Sequence, residues 1–383
     1  MTSHRQGVTD EDLDLVEAVG RFSAGTLAPR AAALDETEGS CLEHVPALGA
    51  MGLMGLNLPA SLGGPGVSAA GMLLALVEVS KHCAATSSMI GAHYLGTDAV
   101  YLGGDDAQHR RLLPRAATGD EVYGFALTEP GGGSNPADLT TRAVRDGDGY
   151  RLDGQKQFIS NAGAADRLVV FAKTDPAAGA RGVTAFVVDA TAAGVSVGPP
   201  EKLMGIRSAP SHSVRFDHVR VPLADRLGEE GSGFRIAMRV LDNSRLDVVA
   251  TSLGIAEAAL ALTVSWLQER HVGGEPLARK QGVQWMVADM KVRLEAAWAL
   301  AMQAVSRRAA GAPFSMESAT AKLYASEMVA FVVDTAQQLH GGYGYSRALP
   351  LERMARDARI LRIYDGASEV QRTIIARGVL GTR

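Results

Sequence analysis

Three short segments of the chain hold residue types that could do chemistry. In FALTEPGGGSNP, residues 125–136, the hydroxyls of Thr128 and Ser134 flank three consecutive glycines. Glycine allows close backbone approach and leaves N–H groups open, which suits a phosphate or the edge of a heterocycle. An ordinary Gly-rich surface loop is the plainer alternative, and neither the spacing nor the surroundings are those of a dinucleotide fingerprint. In GQKQFISNAG, residues 154–163, Phe158 stands two residues before Ser160. In a strand this spacing puts ring and hydroxyl on one face, a stacking wall with a hydrogen-bonding neighbour, although a core Phe beside a turn has the same pattern. In LRIYDGASEVQRTIIARGVL, residues 361–380, Asp365-Gly366 interrupts a helical stretch. A carboxylate there sits on a bend near Arg356, Arg359, Arg362 and Arg372: a candidate base, or a common structural turn.

The elements that must position these segments fall into three regions. Residues 1–121 read as a helical domain: Thr9 and Asp12 make a capping signal, Leu13, Val16, Val19 and Phe22 recur at helical spacing, and Pro29 closes or kinks that helix. A helix at CLEHVPALGAMG and two more at 69–82 and 84–102 follow. Residues 122–232 read as a small β domain. RLVVFAKT and GVTAFVVDA are short and rich in Val and Phe, and Asp146-Gly147-Asp148-Gly149 reads as a hairpin turn. Residues 233–383 read as a helical bundle, with helices near 234–271, 280–310, 316–340 and 350–378 and stops at Gly311 and Gly341. The expected fold is mainly α with a central β domain.

Composition narrows the function. The chain has 383 residues, 46% apolar and 21% charged, so a disordered or fibrous protein is excluded. A net charge of −4 argues against general nucleic-acid binding. The greasiest stretch, 246–264, is interrupted by Asp247, Thr251, Ser252 and Glu257, so no membrane span is expected. The acidic start MTSHRQGVTDEDLD lacks the apolar core of a secretory signal, and a cytoplasmic protein is expected. Cys41 and Cys83 read as reduced, buried fillers, and the dispersed histidines give no metal-ligand set.

The order and spacing of LTEPGGGS, KQFISN, the pair Arg270 and Gln281, QLHGG at 338–342 and IYDGASEVQR at 363–372 strongly resemble the acyl-CoA dehydrogenase family, over essentially the whole chain. The resemblance implies an N-terminal helical domain, a β-barrel or sandwich and a C-terminal four-helix bundle. It implies FAD as cofactor, and α,β-dehydrogenation of an acyl thioester of CoA or acyl carrier protein, with an electron-transferring flavoprotein as acceptor. It also implies a homotetramer. A carboxylate removes the α proton while the β hydrogen leaves as hydride to flavin N5. The thioester carbonyl is held by the backbone N–H of the catalytic residue and by a flavin ribityl hydroxyl.

Residue by residue, the resemblance makes Asp365 the base. It puts Leu127, Thr128, Ser134, Phe158 and Ser160 beside the flavin, with Ala367 and Glu369 also on the cofactor. Arg270 and Gln281 would grip the FAD of a neighbouring subunit, with Gln338, Gly341 and Gly342 at its pyrophosphate. Substrate contacts fall to Ser134, Asp242, Arg245, Tyr364 and Gly366. His93, Tyr94 and Tyr101 are candidate polar pocket residues, or satisfied core groups. The chain departs from the pattern at Asp365, where Glu is usual, and at Ser244, where some members keep an alternative Glu. Gly273 stands where Phe is usual and predicts a weaker hold on FAD, and Asn135 and Ala367 replace Asp and Thr. Two other functions compete: a flavin monooxygenase on the same fold, which needs no base, and a non-catalytic flavoprotein that binds a partner or DNA.

Overall fold

The structure, a computed structural model, describes residues 7–382. Its first region is helical: α1 Asp10–Phe22, α2 Ala28–Thr37, α3 Val45–Ala50, α4 Ala69–His82, α5 Ala84–Gly103 and α6 Asp106–Ala117. Thr9 and Asp12 cap α1 reciprocally, at 3.1 and 2.9 Å. The same buried Asp12 accepts the Ser68 N–H at 3.0 Å and hydroxyl at 2.6 Å, tying α1 to the start of α4. Pro29 does not end the first helical run. A π turn at Ser23–Leu27 carries the chain on, and Pro29 sits in the first turn of α2, where its missing N–H is not needed. The segment at Cys41 begins as a 3₁₀ turn, Cys41–His44, before α3. Helix α6 lies beyond the helices that the periodicity predicts; Pro114, a breaker by sequence, sits inside it.

Eight strands follow: β1 Tyr123–Ala126, β2 Arg142–Asp146, β3 Gly149–Ser160, β4 Arg167–Lys173, β5 Val183–Asp189, β6 Val195–Pro200, β7 Ser211–Pro222 and β8 Arg226–Leu227. Their order is β6-β7-β3-β2-β4-β5-β8, with β1 paired parallel to β4. Asp146 and Gly149 face each other across the expected hairpin turn. The two long strands β3 and β7 slip register twice, between Leu152 and Gly154 and between Lys156 and Ile159.

The third region holds α7 Gly233–Glu269, the hairpin β9 His271–Val272 and β10 Glu275–Pro276, α8 Gln281–Ala309, α9 Ser315–His340, α10 Gly342–Tyr345, α11 Leu351–Ile360 and α12 Ser368–Leu380. Gly311 and Gly341 end their helices at positive φ. The last predicted helix is divided in two, because Asp365 and Gly366 both take positive φ, 51° and 89°. Asp tolerates that conformation better than most residues. Helix α7 is long and apolar enough to cross a membrane by length and composition, but it packs against α9, α4 and α5, and 61% of its most apolar window is buried in the fold. Residues of α4, α5, α7, α8 and α9 share one continuous core, in which Cys41 and Cys83 are buried and free.

Candidate active site

The Asp365-Gly366 bend is held from two sides. Lys322 on α9 is fully buried, and its Nζ donates to the Gly366 carbonyl at 2.7 Å. Gln371, one turn into α12 and also fully buried, donates to the carbonyls of Asp365 at 3.1 Å and Gly366 at 2.8 Å. A Cβ on Gly366 would come within 2.6 Å of the Gln371 amide and displace it from these bonds, and the positive φ favours glycine here. With both carbonyls fixed, the direction of the Asp365 side chain is fixed too. Its backbone N–H has no backbone acceptor among the described residues, which leaves it open toward a ligand.

Three groups surround the Asp365 carboxyl. Burial raises its pKa above the usual carboxylate value, and the charges of Lys322 and Arg245 and the Ser244 hydroxyl only partly oppose this. The Ser244 hydroxyl donates to the Leu241 carbonyl at 3.3 Å. Burial also pulls Lys322 down to about 8, against the attraction of Asp365. The arginines expected around the base point elsewhere: Arg356 is engaged by Asp35 and Glu352, and Arg362 and Arg372 by Glu327. The cations that reach Asp365 come from α7 and α9, through space rather than along its own segment.

Of the expected substrate residues, Asp242 and Arg245 pair with each other, and Asp242 also accepts the Ser315 hydroxyl at 2.7 Å. Arg245 is 4% exposed, so it acts on the site as a buried charge behind Asp365. The Tyr364 hydroxyl meets Ser88 at 3.3 Å. His93 and Tyr94 are core groups. His93 bonds the Ala116 carbonyl and the Tyr123 N–H, each at 3.1 Å, and Tyr94 donates to the Leu53 carbonyl. Tyr101 lines a surface cleft with Asn57 and Arg308.

The Gly-rich loop is anchored by a pair that the sequence reading passed over. Glu129, 6% exposed, accepts Lys156 Nζ at 2.8 Å, the Thr141 N–H at 2.9 Å, and the Thr140 N–H and hydroxyl at 2.6 and 2.7 Å. Lys156 also donates to the Leu127 carbonyl at 3.2 Å, and the Gln157 N–H to the Thr128 carbonyl at 2.9 Å. Leu127 and Thr128 are thereby fixed against β3, while Gly131 and Gly132 have nothing within 4 Å of an added Cβ and Ser134 is exposed. Phe158 departs from the period-2 expectation. It sits at φ 58° in the second register slip, so strand alternation with Ser160 does not apply, and its ring is left 58% exposed. Such an open aromatic face beside a hydroxyl-bearing loop fits a flat heterocycle. Ala367 precedes α12 and Glu369 is exposed on its first turn.

Most of the other residues expected at the cofactor lie elsewhere. Arg270, Gly341 and Gly342 line an open cleft of about 460 Å³ together with Trp266, His340 and Tyr343; the Gln338 carbonyl takes the Gly341 N–H at 3.2 Å. The Trp266 and His340 rings stack at 5.0 Å and Arg270 lies over Trp266. A cation, bare glycine backbone and aromatic rings fit a phosphate-bearing cofactor. Gln281 is exposed at the start of α8. Trp266 lies 22 residues after Ser244 on α7, about 33 Å away at ~1.5 Å per residue, so this cleft and Asp365 occupy different ends of one chain. At the missing Phe, Gly273 and Gly274 make the β9–β10 turn with φ of 66° and 86°, a conformation that favours glycine and strains a Phe. The expectation of no ligand cluster meets one exception, Asp153, Asp217 and His218 on the surface, where His218 is already bonded to Asp153 at 2.7 Å.

Lys322, Gln371 and the Glu129–Lys156 pair are the functional residues that sequence reasoning missed. Two of the signals were present: Lys322 is a lone charge in the run SATAKLYAS, and Glu129 and Lys156 lie inside the first two motifs.

Comparison with known proteins agrees with this geometry. Residues 9–120, 124–219 and 231–380 match the family models for the acyl-CoA dehydrogenase N-terminal, middle and C-terminal domains. The chain is 40% identical to an acryloyl-CoA reductase (NADH) of Anaerotignum propionicum, over 97% of this chain and 95% of that protein. It superimposes on butyryl-CoA dehydrogenase from Megasphaera elsdenii with a TM-score of 0.95 and 36% identity, covering 98% and 99% of the two chains. A chain in the structure of the electron transferring flavoprotein of Acidaminococcus fermentans matches with a TM-score of 0.95 and 35% identity, over 98% and 99%. The chain therefore belongs to the acyl-CoA dehydrogenase family, FAD-binding oxidoreductases that act on CH–CH bonds.

Proposed function

We propose that the protein oxidises an acyl thioester between its α and β carbons, with Asp365 as the α-proton base. The observation that carries this is the Asp365 carboxyl itself: burial raises it above the usual carboxylate value, its hydrogen-bonding neighbour is the Ser244 hydroxyl, and Lys322 donates to the Gly366 carbonyl instead. A base needs a free lone pair and a pKa brought closer to the working pH, and this surrounding supplies both. Lys322 and Gln371 hold the turn, so the carboxyl and the open Asp365 N–H keep a fixed relation. The N–H can take the thioester carbonyl oxygen and stabilise the enolate that forms as Asp365 accepts the α proton. Bound FAD supplies the acceptor for the hydride that leaves the β carbon. Phe158, Leu127, Thr128 and Ser134 would hold it on one side.

The cleft at Trp266 lies about 33 Å along α7 from Ser244 beside Asp365, which supports the reading that Arg270, Gln281, Gln338, Gly341 and Gly342 serve the cofactor of a second copy. That arrangement supports an assembly of at least two copies, of which the expected homotetramer is one. The similarity to a chain in an electron transferring flavoprotein structure supports such a flavoprotein as electron acceptor, and the similarity to enzymes named for CoA thioesters supports a CoA thioester as substrate.

Anaerobic titration of the yellow protein with butyryl-CoA tests the reading. Bleaching of the flavin without oxygen is expected. No bleaching with any thioester, together with oxygen-dependent product after external reduction, identifies the monooxygenase instead.

A further inference from the structure

Asp247 lies three residues beyond Ser244 on α7, on the helix that lends Ser244 and Arg245 to the Asp365 site. It is 8% exposed, yet nothing among the described residues donates a hydrogen bond to its carboxylate. It faces α5: its Cβ and Oδ2 lie 3.6 and 3.9 Å from where a Cβ on Gly91 would stand, so Asp247 meets α5 where that helix presents only bare backbone. Hydroxyls line the same helix contact. Ser87 bonds Thr251 at 2.9 Å, and Ser88 meets Tyr364, the residue before the base, at 3.3 Å. Asp98, further along α5, is different: Asn57 and Asn243 satisfy it at 2.7 and 2.8 Å. Burial, reinforced by the nearby Asp98 and Asp365 and only partly opposed by Arg308, pushes Asp247 well above the usual carboxylate range.

A buried carboxylate without a partner weakens a fold, and an apolar residue of similar size would be more stable there. Its presence next to a reaction site points to a partner that arrives with the substrate. We propose that Asp247 recognises a hydroxyl or ammonium group on the acyl chain, beyond the carbon that Asp365 deprotonates. This rests on the dehydrogenase reading above. The three residues from Ser244 to Asp247 span about 4.5 Å of helix axis, which places the substituent a few carbons along, at the γ position in the simplest case. A γ substituent leaves the α and β hydrogens available for oxidation. The shorter Asp365 and the polar α5–α7 contact then belong to one adaptation, to a substituted acyl group rather than a plain fatty chain.

The test is anaerobic flavin reduction by three CoA thioesters: pentanoyl, 4-hydroxybutyryl, and 4-(trimethylammonio)butyryl, which carries a fixed cation and no donor. The native protein is expected to be reduced at least tenfold more efficiently by one of the polar probes than by pentanoyl-CoA. Asp247→Leu is expected to reverse that order and to melt at higher temperature, which separates lost recognition from lost folding. Asp247→Asn distinguishes the sources, retaining the hydroxyl probe but losing the cationic one. A native preference for pentanoyl-CoA over both polar probes overturns the proposal, as does an Asp247→Leu variant that changes all three by the same factor. Either result leaves the dehydrogenase reading intact, since the flavin is still reduced; a flavin that no thioester bleaches overturns both.

Discussion

Lys156 and Lys322 are both fully buried and each lies near a carboxylate, but their ammonium groups are spent differently. Lys156 donates straight to Glu129 at 2.8 Å. Burial alone would raise Glu129, but the Lys156 charge and hydrogen bonds, with those from Thr141 and Thr140, outweigh it and hold Glu129 at about 2. Lys322 donates to the Gly366 carbonyl and reaches Asp365 only as a charge, so Asp365 stays raised. The first site locks a carboxylate in its ionised form and uses it to fix a loop. The second leaves a carboxylate able to take up a proton. The same two residue types thus make a clamp or a base according to where the donors point.

The largest effect that separates the two sites is on stability. Glu129→Ala leaves Lys156 buried and unpaired, and a loss of about 3–5 kcal/mol is expected in denaturant unfolding, with loss of flavin as the Gly-rich loop comes free. Asp365→Asn is expected to do the opposite and raise the melting temperature slightly, because ionising a carboxylate with a raised pKa costs stability at neutral pH. The pH dependence follows the same signs. Glu129, lowered in the fold from 4.5 to about 2, contributes stability that is complete above pH ~4.5 and lost as pH falls toward 2. Asp365 is raised above 3.8, so its contribution runs the other way and acid relieves it. Equal acid sensitivity in native protein and Glu129→Gln would break the comparison.

A middle-sized effect is expected at Lys322. Lys322→Met removes a charge that favours the Asp365 carboxylate, so the acid limb of the flavin-reduction rate should move to higher pH. Ser244→Ala should move the limb in the same direction by less. A limb that stays in place in both variants would mean that the base titrates elsewhere.

How much of this was legible in the sequence depended on whether contacts were local. The cap of α1, the Asp146–Gly149 turn and the stops at Gly311 and Gly341 are set by neighbours in the chain, and the residues spell them out. Helix α6 was hidden by Pro114, which the helix tolerates. The bend at Asp365 was readable from Asp-Gly, and the resemblance supplied its role. The resemblance also marked Ser244, but the rest of what surrounds the bend was not legible: Lys322 and Asp247 come from two other helices, and the arginines near it in sequence are drawn off by Asp35, Glu352 and Glu327. The strand alternation expected between Phe158 and Ser160 fails because an inserted residue breaks the register there.

The smallest expected effect concerns the turn at Gly273. The absent Phe predicts a looser hold on FAD, but φ of 66° means that Gly273→Phe introduces strain of roughly 1–2 kcal/mol. FAD retention on dilution should therefore improve little in that variant; a clear improvement would show that the turn rearranges.

The central claim is that Asp365 takes the α proton. Anaerobic stopped-flow reduction of the native protein and of Asp365→Asn by the same thioester tests it most directly, with the flavin spectrum and thioester binding as controls. The account predicts that the variant keeps its flavin and binds the thioester but is reduced about 10²–10⁴-fold more slowly or not at all. Reduction of Asp365→Asn at the native rate would contradict it.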